Sequence, residues 1–333
     1  MVVSGKNIVF ISPSFFGYER AIEKRLKELG GNVYFFDDRP SNGFWGKGLL
    51  RAHKKMYAAH IKRYYKPIER IIESIDKIDI VFLLSPEALP LALLTKIIKN
   101  HPYVKVLLYM WDSIQNKIGT KKYLPYCNKI FTFDPNDKQY DDRIEFCSLF
   151  YLNEYASIPS CEKYDYDLSF IGTAHSDRFL LANNIRQQIE QRGGRVYNFF
   201  YLQSKKLFLY RKITDYNFRS TSVTDFQYRA LTSEETRKII CKSKAVLDIQ
   251  HPKQTGLTMR TLEVLGSKRK LITTNSEIAK YDFYNSQNIL IINRTNPFIP
   301  ADFLETPYIP IPSSIYMKYS LDGWLETIFD DME

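Results

Sequence analysis

What most constrains this chain is a succession of short, continuous apolar runs separated by segments of helical periodicity. In the first half, "NIVFISPS" (7–14) is apolar for the length of a strand and stops at Ser-Pro. Tyr18 to Leu29 then places Ile22, Leu26 and Leu29 on one face, as a helix does, and Gly30-Gly31 ends it. "NVYFFDD", "DIVFLLS", "VKVLLYMWD" and "KIFTFDP" read as further strands, with "ALPLALLTKIIKN" and "KYLPYCN" as helices between them. Apolar runs without alternation suit parallel strands covered on both faces, and strand–helix alternation is the pattern of an α/β fold.

The pattern breaks at "LFYLNEYASIPSCEKYDY" (149–166), which reads as a linker, and then resumes. "DLSFIGT" is followed by a helix from Arg178 to Arg192, "RVYNFFY", and a less regular basic stretch (205–228). A helix from Ser233 to Ser243, "AVLDIQ", the helix "MRTLEVLGSK", "KLITTN" and "ILIIN" complete the second series. "SIYMKYSLDGWLETIFDDM" closes the chain as a helix, kinked or recapped at Ser320–Gly323. At 333 residues the chain exceeds one ordinary core. The expectation is two Rossmann-like domains facing a cleft: residues 1–155 joined by the terminal helix 314–333, and residues 156–313. Ligands in such sheets bind beyond the carboxyl ends of the strands.

The formal charge of +10 points to an anionic partner: nucleic acid, an anionic membrane or a phosphorylated small ligand. Part of it follows from a composition rich in Lys, Tyr, Asn, Ile and Phe, as an A/T-rich genome produces. Cys127, Cys147, Cys161 and Cys241 form no CxxC pair, which argues against a disulfide framework or a zinc site. "MVVSGKNIVF" lacks the apolar run of a signal peptide, and no stretch approaches the ~18 apolar residues of a membrane span. A cytoplasmic protein, soluble or peripheral on the inner membrane face, is expected.

Two stretches carry chemistry. In "SFIGTAHSDR" (169–178) a buried-looking strand ends at Gly172, which permits close backbone approach. Thr173, His175 and Ser176 follow, and Arg178 opens a helix whose free N–H groups would face the same place. Such a loop either cradles a diphosphate or is a simple turn. In "QHPKQTGLTMRTLEVLGSKRKLITTN" (250–275), Arg260 and Glu263 stand three apart and share a helix face. A carboxylate there can accept from the vicinal hydroxyls of a ribose, or the two residues form a surface ion pair.

These stretches resemble the donor domain of GT-B glycosyltransferases, in particular bacterial capsule and lipopolysaccharide enzymes and the spore-maturation glycosyltransferase-like group. The likeness extends to "YMWDS" and "KIFTFDPND" in the first half. It implies a nucleotide-sugar donor on the second half, with Glu263 on the ribose, Thr255, Gly256 and Leu257 near the phosphates and Arg260 at the diphosphate. Many retaining members carry a glutamate seven residues before the ribose-binding one. Here that position is Gly256, so retaining chemistry of that type is not implied. No cofactor and no metal are expected. The one DxD, Asp165-Tyr166-Asp167, precedes a strand rather than following one.

The first half would then take the acceptor, a glycan or a lipid-linked one. Asp112 follows a strand, beside Trp111, and is either the general base or a helix cap. Ser14, Phe15 and Gly17 after the first strand, and Arg39 and Asn42 after the second, are the acceptor-side candidates. The segment from Lys47 to Ile72 is strongly basic, with Glu69 its one acid. It reads as an amphipathic helix broken near Pro67, either solvated or lying on anionic lipid. The leading function is therefore metal-independent glycosyl transfer in cell-surface polysaccharide synthesis. An epimerase or hydrolase of the same fold is the alternative. A nucleic-acid binder is disfavoured because no RNA- or DNA-binding motif is present.

Overall fold

The computed structural model describes residues 3–39, 54–159, 163–252 and 255–330. The chain divides into two compact units, one running to Ser148 and resuming at Gly323, the other spanning Leu149–Asp322. In the first unit the elements are β1 (Asn7–Ser12), α1 (Tyr18–Glu28), β2 (Asn32–Asp37), α2 (Lys54–Glu73), β3 (Ile80–Leu84), α3 (Leu91–Asn100), β4 (Lys105–Met110), β5 (Lys129–Thr132) and β6 (Ile144–Phe146). The sheet order is β2-β1-β3-β4-β5-β6, parallel throughout. Every residue of β3 is buried, as its unbroken apolar run requires. The direction of winding reverses between β1 and β3, the place where such sheets hold ligands.

Helix α2 lays Ile61, Tyr65, Ile68 and Ile72 on the core and leaves Lys62, Arg63, Lys66 and Arg70 in solvent. It does not break at Pro67 as the sequence suggested. Pro67 lies on the exposed side, between two buried anchors, Tyr65 and Ile68. Their packing outweighs the one internal hydrogen bond that a proline forfeits.

The second unit comprises α4 (Asn153–Ala156), β7 (Tyr166–Thr173), α5 (Arg178–Glu190), β8 (Val196–Tyr201), α6 (Lys205–Thr214), α7 (Ser233–Cys241), β9 (Ser243–Asp248), α8 (Met259–Gly266), β10 (Lys270–Thr273), β11 (Ile289–Ile291), α9 (Ala301–Glu305) and α10 (Ser313–Lys318). Its sheet, β11-β10-β9-β7-β8, is also parallel, and its reversal lies between β7 and β9. Helix α6 occupies part of the stretch read as irregular. Ser204 caps it by accepting from the Leu207 N–H at 3.1 Å.

The division at Leu149 falls at the start of the expected linker, ahead of the expected boundary at 155, because Tyr151 is bound into the second unit. Its N–H donates to the Tyr319 carbonyl, and its carbonyl accepts from the Leu321 N–H, both at 2.9 Å. The terminal segment breaks at Tyr319–Ser320 into two helices, at the recapping point read from the sequence. In α10 the Tyr316 hydroxyl donates to the Gly266 carbonyl at 2.5 Å, holding that helix in the second unit. The last helix, α11 (Leu321–Phe329), buries Trp324, Leu325, Ile328 and Phe329. Trp324 meets Tyr109 of β4 edge-on at 4.7 Å, so the chain from Gly323 belongs to the first unit. No helix among the described residues is long and apolar enough to cross a membrane.

Candidate active site

At the reversal of the second sheet, the loops after β7 and β9 meet: the rings of His175 and His251 lie 5.4 Å apart. Ser176 takes a left-handed φ of 53°, uncommon for a residue with a side chain, and its hydroxyl lies 2.7 Å from His175 Nδ1. Asp177 stands at the N-cap position of α5 but does not cap it. Its carboxylate instead takes two hydrogen bonds from Arg294, at 2.7 and 2.6 Å, and Arg294 also donates to the Gln250 carbonyl at 3.0 Å. A residue just past β11 thus ties the two loops together.

Three more arginines converge here. Arg178 donates to the Thr173 carbonyl at 3.3 Å, and its Nε is enclosed without a partner. Arg211 reaches in from α6 to the Ala174 carbonyl at 2.5 Å. Arg260 pairs with Glu263 on α8 and lies within electrostatic range of Arg178. Arg178 and Arg211 have carbonyls rather than carboxylates as hydrogen-bond partners. The charge of Asp248 attracts Arg178, while its Oδ2 accepts from the hydroxyls of Thr258 and Thr261, each at 2.6 Å. Burial first, then Arg178, His251, Arg211 and Arg294, push the His175 pKa down to about 3. The imidazole is therefore a neutral hydrogen-bonding group at ordinary pH. The arrangement suits a multivalent anion at the carboxyl ends of β7, β9 and β11.

Several expectations change in detail. The space a Cβ would take at Gly172 is filled by the Phe170 ring, 2.8 Å away, so the close approach there is internal. Thr255, Gly256 and Leu257 lie in the loop that precedes α8. Thr258 is the cap, its hydroxyl accepting from the Thr261 N–H at 3.2 Å. The Thr255 and Gly256 carbonyls accept from Asn275. Glu263 is buried, held by Arg260 and by the hydroxyl of Tyr155. Asp165 and Asp167 pair with Lys242 and Lys244 at the amino end of β7, ~20 Å from this site along the strand. Among the described residues, no group of three His, Cys, Asp or Glu side chains is placed to hold a metal ion.

In the first unit, the loops at the carboxyl ends of β1 to β4 carry the acceptor-side candidates. Ser14 donates to Asp37 at 2.6 Å. Phe15 packs against Trp111 with centroids 5.2 Å apart, and Gly17, at φ 84°, starts α1. Arg39 bonds to Glu87 at 2.7 Å, and Lys117 bonds to the same carboxylate. Asn42 lies outside the described residues. Asp112 Oδ1 accepts from the Ser113 N–H at 2.9 Å and from Asn116 Nδ2 at 3.0 Å, the geometry of a turn cap.

Sequence reasoning missed two carboxylates that shape these loops. Asp38 is buried and accepts from the N–H groups of Glu87, Ala88 and Leu89 and from the Tyr65 hydroxyl, fixing the loop after β3. Asp137 accepts from the Ile114 N–H and the Thr132 hydroxyl, fixing the loop that carries Asp112. Burial raises its pKa to about 6. Arg211, His251 and Arg294 were missed as well. Arg211 and Arg294 lie in stretches with no periodic or motif signal, His251 was passed over within the second motif, and only the fold brings them to the loop after β7.

No protein-family model matches the sequence, and no curated protein does. Solved structures do match. A glycosyltransferase from Rickettsia africae ESF-5 superposes with a TM-score of 0.56 at 14% identity, over 98% of this chain and 99% of that one. Anabaena Alr3699/HepE, in complex with UDP and glucose, gives 0.51 at 10% identity, over 97% and 95%. MurG of Acinetobacter baumannii gives 0.50 at 10% identity, over 97% and 98%. The chain has the GT-B fold. In GT-B terms the arginine cluster belongs to the C-terminal domain, and the Ser14, Arg39 and Asp112 loops to the N-terminal one.

Proposed function

We propose that this GT-B chain is a glycosyltransferase that takes a sugar from a nucleotide-sugar donor and passes it to an acceptor hydroxyl. The observation that carries the reading is the convergence of Arg178, Arg211, Arg260 and Arg294 where the second sheet reverses. The Anabaena structure of the same fold holds UDP and glucose, which favours a nucleoside diphosphate as the anion.

In this reading the anomeric carbon–oxygen bond to the diphosphate breaks as the acceptor oxygen attacks. Arg178 and Arg260 take up the charge developing on the leaving oxygen, and Gly172, Thr173, His175, Thr255, Gly256 and Leu257 line the phosphate end. Such preorganised stabilisation is the largest single contribution in many enzymes. Arginine can carry that role without a metal. Glu263 grips the ribose once Arg260 turns toward the phosphates. In the N-terminal domain Asp112 takes the acceptor's proton, Phe15 offers an aromatic face, and Ser14, Gly17, Arg39 and Asn42 complete the acceptor side. The basic face of α2 suits an acceptor presented on an anionic membrane, as a lipid-linked glycan for a capsule or lipopolysaccharide would be.

A thermal-shift screen against UDP, ADP, GDP and CMP tests the reading, since a ligand of the folded state raises Tm by mass action. One nucleotide should stabilise the chain, and its sugar conjugate should be consumed only with an acceptor present. Consumption of the donor alone, with isomerised or hydrolysed sugar, would make the chain an epimerase or hydrolase. No shift with any nucleotide would sink the proposal.

A further inference from the structure

We infer that the outward face of α6 docks on an anionic lipid bilayer. Leu209, Tyr210 and Ile213 on α6, with Tyr216 just beyond it, are 62%, 64%, 78% and 76% exposed. The inward side of the same helix is fully used. Phe208 is buried, Arg211 donates to the Ala174 carbonyl, and Lys212 reaches the Thr221 carbonyl. The outward residues therefore form an apolar ridge that none of the described residues covers. Large exposed apolar groups gathered on one element mark an interaction surface.

The charges around the ridge select its occupant. Lys205 and Lys206 are exposed at its start and Arg219 at its end, where the Arg219 guanidinium lies 5.8 Å from the Tyr216 ring centroid. The helix itself contains no acid. The next acids along the chain serve as caps: Asp215 accepts from Asn217, and Asp225 from the Ser222 N–H. A convex apolar ridge with tyrosines on it and cations at both ends matches the headgroup layer of an anionic bilayer. Apolar tips enter the acyl boundary, tyrosines sit at headgroup depth, and cations meet lipid phosphates. Its length, ten residues, lets the helix lie in that layer and not cross it.

This surface differs from the basic face of α2, and its case does not rest on the glycosyltransferase reading. If both hold, Arg211 links bilayer and donor site. It leaves the inner side of the docking helix for the loop after β7, about one helix diameter (~10 Å) from the lipid.

Vesicle flotation of the full chain tests the inference, using phosphatidylcholine vesicles with and without phosphatidylglycerol. The wild type should float with the phosphatidylglycerol vesicles and far less with phosphatidylcholine alone. The double variant Leu209→Ser/Ile213→Ser should bind at least about tenfold more weakly, given the apolar area removed. Lys205→Glu/Lys206→Glu should lose the preference for anionic vesicles. Circular dichroism and Tm should match the wild type in both, because the altered side chains are solvent-exposed. Absence of wild-type flotation would overturn the inference. So would flotation unaffected by the α6 variants but abolished by Lys62→Glu/Lys66→Glu on α2. A Leu209→Ser/Ile213→Ser variant that turns a dimer into a monomer while still floating would reassign the ridge to self-association.

Discussion

Both sheets are parallel, and each reverses direction beside its first strand, yet the loops at the two reversals differ in chemistry. In the C-terminal domain Arg178 and Arg211 hydrogen-bond to carbonyls rather than carboxylates, while Arg294 uses its hydrogen bonds to tie one loop to the other. In the N-terminal domain Arg39 and Lys117 share Glu87, Ser14 satisfies Asp37, and Asp112 is folded back onto its own turn. On the proposed function, one topology would serve two ligand classes. An excess of cations favours a phosphate-bearing donor. A charge-matched, partly aromatic surface suits the proposed hydroxyl-rich acceptor, with Asp112 as the proposed proton acceptor.

The largest test of that contrast is Asp112→Asn. Asparagine keeps the acceptor that caps the Ser113 turn but cannot take a proton. A positioned base contributes about 10²–10⁴-fold. We therefore expect kcat to fall by that range, with Tm and nucleotide affinity unchanged. Activity within about threefold of wild type would reduce Asp112 to the turn cap it already is. Next come Arg178→Ala and Arg260→Ala, each expected to weaken nucleoside diphosphate binding by about 1.5–3 kcal/mol by calorimetry, the range of hydrogen bonds to charged groups. Arg39→Ala in the matched loops should leave that affinity within about twofold. An equal loss from Arg39→Ala would break the contrast between the domains.

The fold was legible because buried parallel strands need uninterrupted apolar runs, and those occur where β1, β3, β4, β7 and β9 lie. Helix α6 was not legible. Leu209, Tyr210 and Ile213 point outward and only Leu207 and Phe208 inward, so the periodicity that reports packing against a core is missing. Edge strand β6 was too short to register, and Pro67 sat inside a helix whose neighbouring anchors overrule it. Of the site, the two loops were legible from Gly172, Arg178, Arg260 and Glu263. Arg211, His251 and Arg294 were not, since they reach the cluster through the winding of the sheet. Asp38 and Asp137 were hidden for another reason. A carboxylate that organises a loop by accepting main-chain N–H groups looks, in sequence, like any turn aspartate.

A smaller effect should follow Glu263→Gln. The amide keeps one acceptor for a ribose hydroxyl and loses the charge, so nucleoside diphosphate affinity should fall by about 1.5 kcal/mol, the lower end for a charge-assisted hydrogen bond. The 2′-deoxy nucleotide should bind the variant and the wild type with nearly the same affinity, which calorimetry on the four combinations reads directly. Full additivity of the two changes would remove Glu263 from the sugar and return it to an ion pair with Arg260.

The subtlest contrast concerns acid, and it has opposite sign in the two domains. His175 titrates at about 3 in the folded chain against an ordinary 6.5. Between those values the unfolded chain binds more protons, so this group's contribution to stability falls as pH drops below 6.5 and levels off near 3. Asp137 titrates at about 6 when folded against an ordinary 3.8. There the folded chain binds more protons, and stability rises as pH falls from 6 toward 3.8. Trp111 and Trp324 both lie in the N-terminal unit, and the remaining tryptophan, Trp45, precedes Ser148 in the chain, so fluorescence reports on that unit alone. Hydrogen exchange at the buried amides of β7 and β9 reports on the other. On acidification from pH 7 to 5, His175→Gln should flatten the loss of exchange protection in the C-terminal domain and leave the fluorescence transition unchanged. Asp137→Asn, which can still accept from Ile114 and donate to Thr132, should flatten the N-terminal response only. If one substitution altered both readouts, the two domains would unfold as a single cooperative body, and their opposite acid responses would be averaged out.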